Sequence, residues 1–240
     1  MKSFSDSKEL LFDAVDRCMV CGRDVFDGRG ICEVCHRHLV YNNSKTCERC
    51  GAKVIGETRF CSDCANQDIF FDKGYSVFVY EDAIKSVIYA LKYGNREDNA
   101  ITLARCLADK AIAENILFDV VVGVPMTKSA EKLRGYNQSY LLAKHFCDII
   151  KVTFLQFALV KTKETDTLEK ISHRERWKIM QNVFKVADKT AVCGKNILLI
   201  DDVKTSGATG SECARALKKG GANKVYLLTV ASREEKVLTE

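Results

Sequence analysis

The sequence has no run of about 18 apolar residues, the length a helix needs to cross a bilayer, so no membrane insertion is expected. Its opening residues, MKSFSDSKELLFDAV, mix charges from the second position onward and hold no uninterrupted apolar stretch of the kind a secretory leader needs. The sequence therefore predicts a protein that is neither secreted nor membrane-spanning. Proline is nearly absent, at one residue in 240, and with 47% hydrophobic residues the composition is that of ordinary globular material in one domain or two. Two common nucleotide-binding fingerprints are also missing: there is no P-loop lysine motif and no GxGxxG following a strand.

Cysteine is abundant, with twelve residues. Without a leader, and with most of the cysteines in paired CxxC units, metal ligation in a reducing cytoplasm is favoured over a disulfide scaffold. Four pairs occur: Cys18/Cys21, Cys32/Cys35, Cys47/Cys50 and Cys61/Cys64. Shifting the first two pairs by 29 residues superposes them on the last two, and each half opens with the same knuckle, Cys21-Gly22 and Cys50-Gly51. Zinc takes four ligands in a tetrahedron, and two knuckles supply four thiolates, leaving no open position for water. The spacing thus predicts two structural zinc sites, with the repeat favouring sequential over crossed pairing of the knuckles. His36 and His38, beside Cys35, are alternative ligands. So few aliphatic residues lie between the knuckles that metal binding should drive folding of residues 1–70.

Charge is uneven. Residues 1–70 carry 10 Lys and Arg against 11 Asp and Glu, whereas the remainder carries 27 against 21, so any attraction for polyanions belongs to residues 71–240. A solvated basic surface with no partner would look the same.

From about Asp68 to Asp72 the cysteine density falls and the periodicity changes, which marks a boundary between a module of residues 1–70 and a domain of residues 71–240. Ile84, Val87, Ile88 and Leu91 form a helical stripe over 82–93 that stops at Gly94. A second helix is expected over 99–115, a valine-rich strand over 120–124, a helix carrying Leu142, Phe146, Ile149 and Ile150, and a strand over 152–160. Further strands are expected at 197–200 and 225–230, with a helix over 212–219 between them. Strands alternating with helices predict an α/β fold with a mainly parallel sheet, and ligands in such sheets bind beyond the carboxyl ends of the strands.

One of those ends is distinctive. In ILLIDDVKTSGAT, Ile197 to Thr209, a buried strand meets two carboxylates, Asp201 and Asp202, and then Thr205, Ser206, Gly207, Ala208 and Thr209 open a helix. Backbone amides and the positive end of a helix can cradle a monophosphate, with Gly207 allowing close approach, and paired carboxylates can accept hydrogen bonds from vicinal ribose hydroxyls. A strand followed by a turn and a threonine cap needs no ligand, but two adjacent buried acids are costly without partners. After Val124, Lys128, Lys132 and Arg134 surround a turn ahead of a helix beginning at Gln138, an arrangement that suits a second anion. The long polar segment Lys161–Phe184 reads as a lid.

These segments resemble a known family. ILLIDDVKTSGAT is similar to the signature with which type I phosphoribosyltransferases bind 5-phosphoribosyl pyrophosphate (PRPP), and DVVVGVPMTKSAEKLRGYNQ, Asp119 to Gln138, resembles a signature of the competence-related ComF (ComFC) branch, with Tyr136 where that branch has Phe. ComF proteins also place CxxC knuckles ahead of such a domain, so the resemblance covers nearly the whole chain. It implies a type I phosphoribosyltransferase fold preceded by a small zinc-ribbon-like module. It further implies that Asp201 and Asp202 hold ribose hydroxyls, that Thr205 to Thr209 hold the 5′-phosphate, and that the loop with Pro125, Met126, Lys128, Arg134, Asn137 and Gln138 holds pyrophosphate. Mg²⁺ is implied to arrive with PRPP. The ComF pattern has Gln near Leu168 and Asn near Ile179, which this chain lacks while keeping Arg176 and Phe184, so the resemblance implies ligand binding more firmly than turnover. It also implies a role in DNA uptake, with single-stranded DNA and competence-machinery proteins as partners. Three functions are open at this point: phosphoribosyl transfer to a nitrogen nucleophile, a non-catalytic grip on single-stranded DNA in which Tyr136 or Trp177 stacks on bases or simply packs, and a docking surface formed by the zinc module.

Overall fold

A computed structural model describes residues 16–43, 45–164 and 173–234. The N-terminal segment holds two two-residue strands, β1 (Asp16–Arg17) and β2 (Asp24–Val25), and two short helices, α1 (Glu33–His38) and α2 (Ser62–Asn66). There follow β3 (Lys73–Val79), α3 (Asp82–Tyr93), α4 (Asn99–Ala113), β4 (Val120–Gly123), α5 (Lys128–Arg134), α6 (Gln138–Ile150) and β5 (Thr153–Phe154). The chain continues through β6 (Leu159–Lys161), α7 (His173–Met180), β7 (Phe184–Val186), α8 (Lys189–Val192), β8 (Asn196–Lys204), α9 (Ala208–Lys219) and β9 (Lys224–Ser232).

Five strands form one sheet in the order β3-β9-β8-β4-β5, and every pairing in it is parallel. Parallel strands covered on both faces read as continuous apolar runs, which is why Val120 to Val124 and Ile197 to Ile200 are wholly buried. Successive side chains of β8 go to opposite faces. Leu198 and Ile200 join the apolar cluster that contains Ile84, Val87, Ile88 and Leu91 of α3, Leu103 and Leu107 of α4, and Leu142 and Phe146 of α6. Ile197 and Leu199 join the cluster on the other face, with Cys213, Ala214 and Leu217 of α9 and Met180 of α7. Helix α3 ends at Gly94, whose amide bonds back to Ala90 O. Among the described residues no helix is long and apolar enough to cross a membrane.

The two cysteine repeats are divided between these faces. Cys18 and Cys35 belong to the first cluster and Cys47, Cys50, Cys61 and Cys64 to the second. The first knuckle lies on α4, where a side-chain carbon on Gly30 would collide with Thr102, and Arg105 bonds Asp16 at 3.0 Å. The second is pressed against β3, where a side-chain carbon on Gly51 would stand 2.5 Å from Gly74 O. Between them the chain covers the free edge of β3: Asn42 N donates to Val77 O, Val79 N to Val40 O and Gly74 N to Arg49 O. An edge strand left bare is an open template for other chains, and this one is capped by the linker.

Four sequence expectations are corrected. The segment 152–160 is two short strands in different sheets, β5 beside β4 and β6 in an antiparallel pair with β7, separated by a turn at Leu155 to Ala158. The basic turn after Val124 is a seven-residue helix, α5. Between the boundary expected at Asp68 to Asp72 and the helix expected over 82–93 no element is expected, and this stretch holds β3, an edge strand of the sheet. Within the segment read as a lid, α7 and the β6–β7 pair are ordered elements, with Met180 and Leu159 fully buried; residues 165–172, including Leu168, lie outside the described residues.

Candidate functional site

From β4 the chain first crosses to β5 on one side and only later enters β8 on the other. The loops leaving β4 and β8 therefore diverge, and the crevice between them is where ligands bind in open α/β sheets. Both segments singled out in the sequence end here: Asp201 and Asp202 near the carboxyl end of β8, and Pro125 and Met126 just beyond β4.

The two aspartates have different surroundings. Asp202 is buried and its Oδ2 lies 2.5 Å from Lys92 Nζ of α3. Burial by itself would raise its pKa, but the Lys92 charge and hydrogen bond outweigh this and hold the carboxyl below its usual range. Asp201 takes hydrogen bonds on Oδ1 from Ser139 Oγ at 2.7 Å and from its neighbour's amide, Asp202 N, at 2.9 Å. Burial, joined by the Asp202 charge, pushes its pKa up to about 8. The two carboxyls are thus pushed in opposite directions, Asp202 towards its ionised form and Asp201 towards its neutral one, an arrangement that offers acceptors and a donor to vicinal hydroxyls.

Beyond them, Gly207 at φ +83° turns the chain into α9 as its N-terminal cap, a left-handed conformation that suits glycine. Ser206 Oγ accepts from Ala208 N at 3.4 Å, and Thr205 Oγ1 accepts from Arg176 Nη1 at 2.8 Å. Asp201, Lys204, Thr205, Gly207 and Thr209 line one small cleft with Thr229 of β9. It brings together a helix start, hydroxyls and the buried Lys204, the chemistry of an anion site.

The loop after β4 divides its predicted residues between structural and free roles. Thr127 caps α5 by accepting from Ala130 N at 3.2 Å. Asn137 caps α6 by accepting from Ser139 N and Tyr140 N, and its amide nitrogen donates to Val124 O at 3.1 Å, which ties the helix start to the end of β4. Arg134 donates to Gln138 Oε1 and lies over the Tyr93 ring at 5.0 Å. Pro125 is buried and Met126 half-buried, while Lys128 and Lys132 are exposed. Tyr136 donates its hydroxyl to Leu91 O and packs on the first apolar cluster, and Trp177 packs on the second, so both aromatics serve as packing.

The cysteines form two sets, Cys18, Cys21, Cys32, Cys35 and Cys47, Cys50, Cys61, Cys64, with the sulfurs of each set within 4.8 Å of one another. Pairing is therefore sequential. A zinc ion with bonds of about 2.3 Å sets tetrahedral sulfur separations of about 3.8 Å. Cys21 to Cys32 at 3.7 Å and Cys50 to Cys61 at 3.6 Å fit that edge. Gly22 at φ +74° and Gly51 at φ +68° make each knuckle, their amides bonding to Cys18 O and Cys47 O. His36 stacks on Tyr41 at 5.1 Å and belongs to neither set. Among the described residues there is no third cluster of three or more metal-ligating side chains.

Sequence reasoning missed Lys92, Ser139 and the buried position of Lys204. Lys92 and Ser139 lie on helices remote in sequence from Asp201, and only the crossing of α3 and α6 over the strand ends brings them there.

A family model described as a double zinc ribbon domain matches residues 9–65. The DNA utilization protein YhgH of Escherichia coli is 28% identical over 216 residues, 88% of this chain and 94% of that one. Competence protein F of Haemophilus influenzae is 25% identical over 222 residues, covering 90% and 96% of the two chains. Among solved structures, the glutamine PRPP amidotransferase of Bacillus subtilis is similar over 59% of this chain and 30% of that one, at 20% identity and a TM-score of 0.41. The chain is thus similar over most of its length to proteins named for DNA utilization and competence, and its N-terminal part matches a double zinc ribbon domain.

Proposed function

We propose that residues 71–240 form a phosphoribosyltransferase-like domain binding PRPP or a close phosphoribosyl relative, and that residues 1–70 form its zinc module. The observation that carries this reading is the unequal aspartate pair, Asp202 held by Lys92 and Asp201 by Ser139, three residues before the Thr205 to Thr209 loop that Gly207 turns into α9. That spacing matches a sugar: carboxyls for two ring hydroxyls and a nearby phosphate cradle for the 5′ end. Thr205 to Thr209 take the 5′-phosphate, and Lys128 with the amides after Pro125 faces pyrophosphate. Magnesium comes with the ligand, held mainly by the ligand's own oxygens, in keeping with a carboxyl pair already engaged by Lys92 and Ser139. Transfer at this site breaks the bond from ribose C1 to pyrophosphate and forms one from C1 to an acceptor nitrogen, with positive charge developing on the ribose. The relatives' names, competence and DNA utilization, support a role in DNA uptake alongside competence-machinery proteins, and the same reading assigns the protein to the cytoplasm.

A second reading, a non-catalytic grip on single-stranded DNA, is favoured by one surface. Tyr89 and Tyr93 are exposed on α3 with ring centroids 5.0 Å apart, and Arg134 lies over Tyr93. Stacked aromatics beside cations suit unpaired bases. Calorimetry of the full chain with Mg-PRPP, and separately with an oligonucleotide, tests both. Saturable binding of PRPP supports the first reading, and heat from the oligonucleotide alone supports the second.

A further inference from the structure

The two cysteine sets hold their sulfurs at nearly the same spacing but differ in what covers them. Cys47, Cys50, Cys61 and Cys64 are each no more than 5% exposed, in the apolar cluster they share with Cys213 and Leu217 of α9. In the first set Cys18 and Cys35 are buried, whereas Cys21 is exposed and Cys32 half-buried. The sulfurs of Cys21 and Cys32 are 3.7 Å apart, and those of their counterparts in the second repeat, Cys50 and Cys61, are 3.6 Å apart. Access therefore separates the two pairs, and distance does not. The knuckle glycines show the same contrast: a side-chain carbon on Gly22 would meet nothing within 4 Å, while one on Gly51 would stand 2.5 Å from Gly74 O.

A thiol on a zinc ion is held as the thiolate, the form that attacks peroxides, and its rate then depends on whether the reagent can reach it. We propose that the first four-cysteine set is an oxidation site: a peroxide-class oxidant joins Cys21 to Cys32 as a disulfide and empties that set of zinc, while the second set keeps its metal. Cys21 Sγ attacks one peroxide oxygen and breaks the O–O bond, becoming a sulfenic acid as hydroxide departs. Cys32 Sγ then attacks that sulfur, the S–S bond forms, and the sulfenic oxygen leaves as a second hydroxide. The two sulfurs give up two electrons, the peroxide takes them, and two protons from solvent turn both hydroxides into water. Cys18 and Cys35 alone do not complete a tetrahedral zinc site, so the metal passes to solvent. Closing 3.7 Å to a bond of about 2 Å moves each sulfur by less than about 1 Å.

The damage has a natural boundary in the fold. The first knuckle rests on α4 through Arg105, which bonds Asp16 at 3.0 Å and Gly28 O at 2.5 Å, and through Met19, Val25 and Ile31 in the cluster beneath it. The backbone bonds that cover the edge of β3 come instead from Val40, Asn42 and Arg49, outside the first set. Loss of the first zinc should loosen β1, β2 and α1 and leave the sheet standing.

The test treats the full zinc-loaded chain with hydrogen peroxide, in a Cys193→Ser background because Cys193 is the other exposed cysteine. Released zinc is followed with a chromogenic chelator, and the thiols are mapped by alkylation and mass spectrometry. One zinc per chain should leave at least about tenfold faster than the other, with a disulfide between Cys21 and Cys32 formed in step, and dithiothreitol with added zinc should reverse both. Cys21→His, which offers zinc a nitrogen but no sulfur to oxidise, should keep its metal and lose the fast release. Departure of both ions at one rate overturns the proposal, and so does fast release with a disulfide that leaves out Cys21 or Cys32. Should Cys21→His fail to hold zinc, the disulfide mapped in the chain with all its cysteine ligands decides alone.

Discussion

Lys92 holds Asp202 at 2.5 Å, while the adjacent Asp201 takes the hydroxyl of Ser139 instead. Two neighbouring acids are thereby pushed in opposite directions, Asp202 towards its ionised form and Asp201 towards its neutral one, and the difference can be measured. Replacing Asp201 by Asn should leave the fold intact, because the Lys92–Asp202 pair survives, and should lower Mg-PRPP affinity by up to about tenfold, since a hydrogen bond between neutral groups contributes roughly 0.5–1.5 kcal/mol. Isothermal calorimetry with unchanged affinity would refute the assignment of Asp201 to the ribose.

The same variant should alter the pH dependence of stability. A carboxyl whose folded pKa stands near 8 binds its proton more tightly when folded, so its contribution is whole below about pH 4 and is lost as pH rises through 8. Asn at position 201 has no such loss. The melting temperature of Asp201→Asn relative to the unaltered chain should therefore rise steadily from pH 4 to pH 8, and a constant difference across that range would exclude a raised pKa.

Lys92→Met should be far more damaging than its place near a helix end suggests. It leaves Asp202 buried without a cation, and breaking one partner of a buried pair costs about 3–5 kcal/mol. Adding Asp202→Asn should recover much of that loss in urea unfolding, and strict additivity of the two changes would argue against the pair.

Each chain should hold two zinc ions, one per four-cysteine set. Elemental analysis of protein prepared without chelators should give a ratio close to two, and a ratio of one would remove a site. The knuckle glycines offer a finer comparison. Gly22 and Gly51 share a left-handed backbone, but a side chain at Gly22 meets nothing within 4 Å, whereas at Gly51 it strikes Gly74 O. Gly22→Ala should cost about 1–2 kcal/mol, the backbone penalty alone, and Gly51→Ala clearly more, read as a larger fall in melting temperature.

Any binding of single-stranded DNA should depend on the exposed cations of α5. Each phosphate contact removed should reduce the salt-dependence slope by about 0.7, so Lys128→Ala with Lys132→Ala should lose up to about 1.4 while the zinc content stays at two. The experiment calls for the full chain, because taking away residues 1–70 would uncover apolar surface on both faces of the sheet. A slope unchanged by these substitutions would place the DNA surface elsewhere.

The parts legible in the sequence were those with a strong local pattern. The stripe of α3, the valine run of β4 and the acids closing β8 each announce themselves within a dozen residues, and the 29-residue repeat fixes the metal sets. Strand β3 was not legible because Lys73, Gly74 and Ser76 break up the apolar pattern of Lys73 to Val79, and it gains its meaning only by pairing with β9, some 150 residues later. The break between β5 and β6 carries no proline or glycine to mark it. Lys92 reads as one more solvated lysine on a helix, since nothing local shows that its position, one residue past Leu91, overhangs the end of β8.

The sheet order also governs when the molecule can be completed. Strand β9, last of the described strands along the chain, is not at an edge but between β3 and β8. On a ribosome the knuckles can close early around their metal, yet β3 and β8 have no common partner until residues 224–232 emerge. A nascent chain stopped short of β9 would present two unpaired strand edges at once, so loss of those few residues should cost solubility out of proportion to their number.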